Sequence, residues 1–170
     1  MSRSPLADAF AHHVWATTRL IDACQELSPD QLSSTIPGTY GSIIDTLRHL
    51  VAADAGYLSL LSGGQVREID EDQESRLELR QMREAMSAHG PVWSALLEDG
   101  VDPDADMIRH RDDGTDSHAP VGIRLAQALH HGTDHRSQVC TALTTLGIEP
   151  PQIDVWDFGH ESGRVFVSPA

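Results

Sequence analysis

His131 and His135 stand four residues apart, a spacing that places two imidazoles over one another on the face of an α-helix. Rings so arranged can share one metal ion. The spacing alone is a weak signal, because in a chain with 10 histidines about half a pair at this separation arises by chance. A third ligand strengthens it. Three imidazoles leave a metal with an open position for water or substrate, whereas structural zinc closes four. His49 is the only histidine in its own helical segment, and it shares a face with Asp45, Ala52, Ala53 and Gly56. Three of those four are small. On the other helix His131 and His135 share a face with Ala128 and Ala142. Small residues leave room for a cavity above the imidazoles, and they equally let two helices approach closely. Neutral imidazoles suit zinc foremost, with nickel or ferrous iron as alternatives.

The remaining histidines have blander readings, as solvated or hydrogen-bonded side chains. His12 and His13 are adjacent on a helix and point in different directions. His89 lies beside Gly90 and Pro91. His110, His118 and His160 fall in expected loops or the tail. His130 precedes a candidate ligand and faces elsewhere.

Four helical segments must position the three candidate ligands. The first is expected from about Pro5 to Glu26, with Phe10, Val14, Ile21 and Cys24 on one face and Pro5 as a tolerated opening residue. The second runs from about Ser42 to Ser62. It opens on a Ser42–Asp45 pattern that resembles a capping box, and Gly63-Gly64 close it. The third, a charged run from about Glu71 to Leu97, buries Leu79, Met82, Met86, Val92, Trp93 and Leu96. Pro91 is expected to kink or interrupt it. The fourth runs from about Pro120 to Leu146, capped by Gly147 and stopped by Pro150-Pro151. The stretch from Glu98 to Ala119, rich in Asp, Gly and His, reads as a polar crossover loop with a small hairpin around Met107 to Arg111. The tail from Gln152 to Ala170 is expected to pack back through Trp156 and Phe158. The fold class is therefore all-α, a four-helix bundle forming a single domain over residues 1–170.

Charge narrows the partners. The chain carries 26 acidic residues against 12 basic ones, all of them arginine, for a formal net charge of -14. With no compact basic stripe, it repels phosphate backbones and anionic lipid heads, which argues against nucleic-acid and membrane binding. No apolar run approaches the length of a membrane span, and the amino terminus lacks the pattern of a signal peptide. The two cysteines, Cys24 and Cys140, are far apart and read as buried free thiols, so a reducing, cytoplasmic setting is expected.

Several stretches together resemble the DinB/YfiT-like family. They are His13-Val14-Trp15-Ala16-Thr17-Thr18-Arg19-Leu20, Gly38-Thr39-Tyr40-Gly41-Ser42, and Thr46-Leu47-Arg48-His49-Leu50. Then come His131-Gly132-Thr133-Asp134-His135-Arg136-Ser137-Gln138 and Pro150-Pro151-Gln152-Ile153-Asp154-Val155-Trp156. The resemblance spans most of the chain and implies a four-helix bundle with a three-histidine metal site. Its ligands map onto His49, His131 and His135. Ser137 stands where the family often has glycine, which alters packing behind the site and leaves the ligands intact.

The resemblance further implies a metal-dependent transferase that activates a low-molecular-weight thiol, acts on a small-molecule substrate and forms a homodimer. A metal-dependent hydrolase, or a non-catalytic metal- or ligand-binding stress protein, would use the same ligands. Around them, Asp45 is a candidate acceptor for the His49 ring or simply part of the helix cap. Tyr57 is a candidate proton donor, with core packing the favoured role. Arg136 and Gln138 either line the pocket or brace the bundle.

Overall fold

Ser4 opens the first helix by accepting a hydrogen bond on its hydroxyl from the Ala7 amide at 3.1 Å, with Pro5 at the first helical position, where its missing N–H costs nothing. The computed structural model describes residues 4–98, 100–111 and 113–168. Its elements are α1 (Pro5–Cys24), α2 (Pro29–Leu32), α3 (Ile43–Leu61), α4 (Glu71–Glu74), α5 (Leu79–Glu98), β1 (Asp106–His110), β2 (Asp116–Pro120), α6 (Val121–Thr145) and α7 (Val155–Glu161). The chain is predominantly helical, and the four long helices α1, α3, α5 and α6 pack so that α1 and α3 each contact both α5 and α6.

Two apolar clusters fill the space between these helices. One gathers Leu20, Ile21, Leu47, Leu50, Met82 and Leu143, and the other Phe10, Leu58, Trp93, Val121 and Leu125. Between them on each helix lies a buried polar residue or pair: His13 and Thr17 on α1, Asp54 on α3, His89 on α5, and His135 with Arg136 on α6. A polar layer therefore crosses the middle of the molecule, and one metal-site candidate, His135, belongs to it.

The structure departs from the sequence expectations in four places. The helix expected from Glu71 to Leu97 is two helices. Asp70 and Gln73 form a complete capping box around the short α4, and Arg48 Nε donates to the Leu77 carbonyl at 3.0 Å in the linker. That long-range bond engages a carbonyl that a continuous helix would have used internally, while Leu77 turns in against the core. Pro91 does not interrupt α5, which runs through it to Glu98. Pro91 sits on the exposed side, where the carbonyl it leaves unpaired can be hydrated.

The crossover is not a plain loop. Its two strands pair antiparallel, with Ile108 opposite His118, so the segment expected to be a whole hairpin is mainly its first strand. The tail forms α7, capped by Asp154, and packs on α1 through Phe158, which lies 5.7 Å from the Trp15 ring. Trp156 does not pack back as expected: it is 71% exposed, because its neighbour Phe158 takes the buried face of α7. No described helix is long and apolar enough to cross a membrane.

Candidate metal centre

His49 lies in the second turn of α3, and His131 and His135 lie on successive turns of α6 where α6 packs on α3. The structure brings together the three histidines singled out from sequence. His131 Nε2 lies 3.1 Å from His49 Nε2 and 3.2 Å from His135 Nε2, and one ligand atom from each ring falls within 4.8 Å of the others. A tetrahedral ion with nitrogen ligands at about 2.0–2.1 Å would separate them by about 3.3–3.4 Å. The observed spacing fits that donor set. Among the described residues, this is the one group of three or more His, Cys, Asp or Glu side chains arranged to hold an ion.

The ring orientations are set from behind. Gln138, one turn beyond His135, accepts on Oε1 from the Tyr40 amide at 3.0 Å. A backbone amide can only donate, so the atom facing it is the side-chain oxygen. The same oxygen lies 3.0 Å from His135 Nδ1, which must donate the second bond. His135 is thereby held as the tautomer whose Nε2 carries a lone pair toward the cluster. Tyr40, preceding α3, stacks its ring on His49 at 4.2 Å between centroids and 13° between planes. One short segment before α3 thus braces His49 directly and His135 through Gln138.

Electrostatics favour neutral imidazoles. Burial, reinforced by its neighbours His135 and His49, pushes the pKa of His131 down to about 4, and burial lowers that of His135 as well. Neutral rings at physiological pH are ready ligands, since a metal binds the unprotonated nitrogen.

For three residues the structure selects between the two roles the sequence left open. Asp45 lines a cavity with His49 but takes the helix-cap role. Its carboxylate accepts from the Ser42 hydroxyl at 2.5 Å and from Arg48 at 3.3 Å, so it belongs to the start of α3. The acid behind His49 is Glu74 of α4, whose Oε1 lies 3.5 Å from His49 Nδ1. Arg136 does not line the pocket. It is buried, donating from Nη1 to His13 Nδ1 at 3.0 Å and to Thr17 Oγ1 at 3.1 Å, and burial lowers its pKa to about 10. Tyr57 stands edge-on to His131 with centroids 5.9 Å apart, and its hydroxyl accepts from Gln127 at 3.4 Å.

Sequence reasoning missed Glu74 and Tyr40. Glu74 gives no signal because it lies 25 residues beyond His49 in a separate element. Tyr40 precedes the second helix among turn residues, where no helical periodicity assigns it a face. The histidines given bland readings behave so. His13 and His89 are buried and hydrogen-bonded to Asp54, His12 donates to the Ile153 carbonyl at 2.8 Å, and exposed His110 and His118 pair with Asp116 and Asp106.

The site opens on both sides of Glu74. A cavity of about 400 Å³ lined by Tyr40, Arg48, His49 and Glu74 lies on one side. One of about 190 Å³ lined by His49, Ala53, Gly56, Tyr57 and Glu74 lies on the other. The small residues of α3 thus border open space beside the imidazoles. Comparison with known proteins gives a match to the model of the DinB family over residues 1–164. No curated protein matches the chain.

Proposed function

This chain belongs to the DinB family, and from that premise we propose that it is a metal-dependent transferase, built on a four-helix bundle, that activates a low-molecular-weight thiol. The observation that carries this reading is the convergence of His49, His131 and His135 on one point, with Nε2 separations of 3.1 and 3.2 Å along the chain of three. A divalent ion held by these three neutral donors, zinc foremost, supplies Lewis acidity that turns a small thiol into a thiolate at neutral pH.

The chain's own residues prepare the place. Gln138 and Glu74 orient His135 and His49 from behind, and Tyr40 covers the His49 ring. The cavities flanking Glu74 open beside His49 and are of a size for small molecules. Neither cysteine lies in the group, so the thiol must come from solution. The two free cysteines agree with a cytoplasmic setting.

Metal content of untagged protein tests the reading, measured for wild type and for His49→Ala, His131→Ala and His135→Ala. The expected result is about one ion per chain in wild type and loss in each variant, followed by turnover of electrophiles only when a small thiol is present. Wild type that takes up neither zinc nor nickel sinks the reading. Turnover that needs metal but no thiol makes the protein a hydrolase instead.

A further inference from the structure

The 190 Å³ cavity beside His49 runs along α3 past Ala52, Ala53 and Gly56 to a guanidinium, that of Arg109, which β1 carries across from the crossover hairpin. Arg109 ends beside Gly56: a Cβ there would lie 3.9 Å from Arg109 Nη1, in ordinary contact with it. The guanidinium and a candidate metal ligand, His49, therefore line one cavity.

Its present partner holds it loosely. Nη2 donates to Glu68 Oε2 at 3.4 Å, and both side chains are about half exposed, 46% and 51%. An ion pair so long and so solvated contributes little. An arginine offers five donors in a planar fork matched to a carboxylate. A carboxylate entering the cavity can therefore replace Glu68 on the fork, and Glu68 can return to water. The other acid lining the cavity, Glu74, faces His49 Nδ1. Among the described residues Arg109 is the one arginine lining the cavity, against Glu68 and Glu74 and a net charge of -14, so any attraction for an anionic group here comes from this guanidinium.

We infer that this cavity is a carboxylate-binding subsite anchored by Arg109, and that the thiol used at the histidines is a thiol acid of extended shape. The separation follows from helix geometry. Gly56 is seven residues beyond His49, and at 1.5 Å per residue the anchor lies about 10 Å from the first ligand along α3. A ligand with its sulfur at the histidines and its acid on Arg109 needs a chain of about six carbons or the equivalent. This inference rests on the thiol-transfer reading and adds the substrate class.

Matched thiols test it on the cobalt(II)-substituted protein, with the sulfur-to-cobalt absorption reporting binding. The probes are mercaptohexanoate, mercaptohexanol and aminohexanethiol, alike except at the end remote from sulfur. The expected result is that the acid binds about tenfold or more tightly than the alcohol in wild type, the scale of a charge-assisted hydrogen bond. Arg109→Ala should abolish that preference while leaving the alcohol's affinity unchanged, and Arg109→Lys should keep part of it. Equal binding of acid and alcohol in wild type, or an acid preference that survives Arg109→Ala, overturns the inference alone. Tightest binding by the amine overturns it in favour of recognition by Glu68. A cobalt spectrum that no thiol perturbs overturns the thiol reading of the site and this inference with it.

Discussion

Glu74 faces His49 from the side opposite the metal-site candidate: its Oε1 is 3.5 Å from His49 Nδ1, while His49 Nε2 meets His131. A carboxylate at that distance favours the ring proton on Nδ1 by electrostatic attraction, which leaves Nε2 as the ligand atom. Loss of such an outer partner lowers metal affinity by about 10–100-fold. Glu74→Ala is expected to weaken zinc binding by that factor in a competition titration, with Glu74→Gln intermediate because an amide oxygen still accepts. Asp45→Ala should leave affinity unchanged, since Asp45 serves Ser42 and Arg48. Zinc affinity unaltered in Glu74→Ala would mean that Tyr40 alone orients the ring.

Gly132 lies between two of the candidate ligands, where α6 packs against His13 of α1. A Cβ at this position would sit 2.3 Å from His13 Cε1 and 2.6 Å from His13 Nδ1. His13 cannot step aside, because Nε2 donates to Asp54 Oδ1 at 2.9 Å and Nδ1 accepts from Arg136. Gly132→Ala must push the helices apart. The expected cost is about 1–3 kcal/mol in urea unfolding, the usual range for an overfilled core. The same shift moves His131 and His135, so zinc affinity should fall together with stability. A variant as stable as wild type would show that α1 and α6 are free to separate here.

Asp54 ties the polar layer together. It accepts from His13 Nε2, from His89 Nδ1 at 2.6 Å and from Trp93 Nε1 at 3.3 Å, and through His13 it balances the buried Arg136. Burial by itself raises a carboxyl pKa, but here the hydrogen bonds from His13 and His89 outweigh it and hold Asp54 well below the usual range. The folded protein thus releases this proton more readily than the unfolded chain. The stabilisation is fully present above the unfolded value of about 3.9 and drains away as pH falls below it. Urea unfolding at a series of pH values should show stability declining steeply below about pH 4. Asp54→Asn is expected to cost about 3–5 kcal/mol at neutral pH, as when one partner of a buried pair is removed, and to flatten that acid decline. A variant that keeps both the stability and the slope of wild type would remove Asp54 from this role.

The candidate ligands were legible because their signal is local. His131 and His135 are one turn apart in a long periodic segment, and His49 sits inside another, so helix geometry alone puts their rings on defined faces. What orients those rings was not legible. Glu74 is positioned by an isolated helical turn that Asp70 and Gln73 cap and that ends before Leu77 meets Arg48 across the chain. The continuous charged periodicity from Glu71 to Leu97 hides that break. The hairpin was half visible for a related reason: Asp106–His110 and Asp116–Pro120 are short and polar, so pairing rather than propensity makes them strands. Asp54 did leave a signal that went unread. It falls on the same helical face as Leu47, Val51 and Leu58, all buried, and a lone acid in an apolar stripe demands partners from other helices.

Cys24 and Cys140 bear on where the reactive thiol comes from. Cys24 is fully buried, and burial, with Cys140 adding to it, pushes its pKa up to about 12. Burial raises that of the half-buried Cys140 as well. Thiol reagents attack the thiolate, so a raised pKa and poor access both slow them. In the native protein at about pH 8, a disulfide-exchange reagent such as dithionitrobenzoate should label Cys140 more slowly than a free cysteine and Cys24 more slowly still. After denaturation without reductant, both thiols should react at once, giving the two expected from sequence. Rapid native labelling of Cys24 would contradict its burial and would make an internal thiol available to chemistry. Slow labelling of both leaves the nucleophile of the proposed thiol transfer to be supplied from outside.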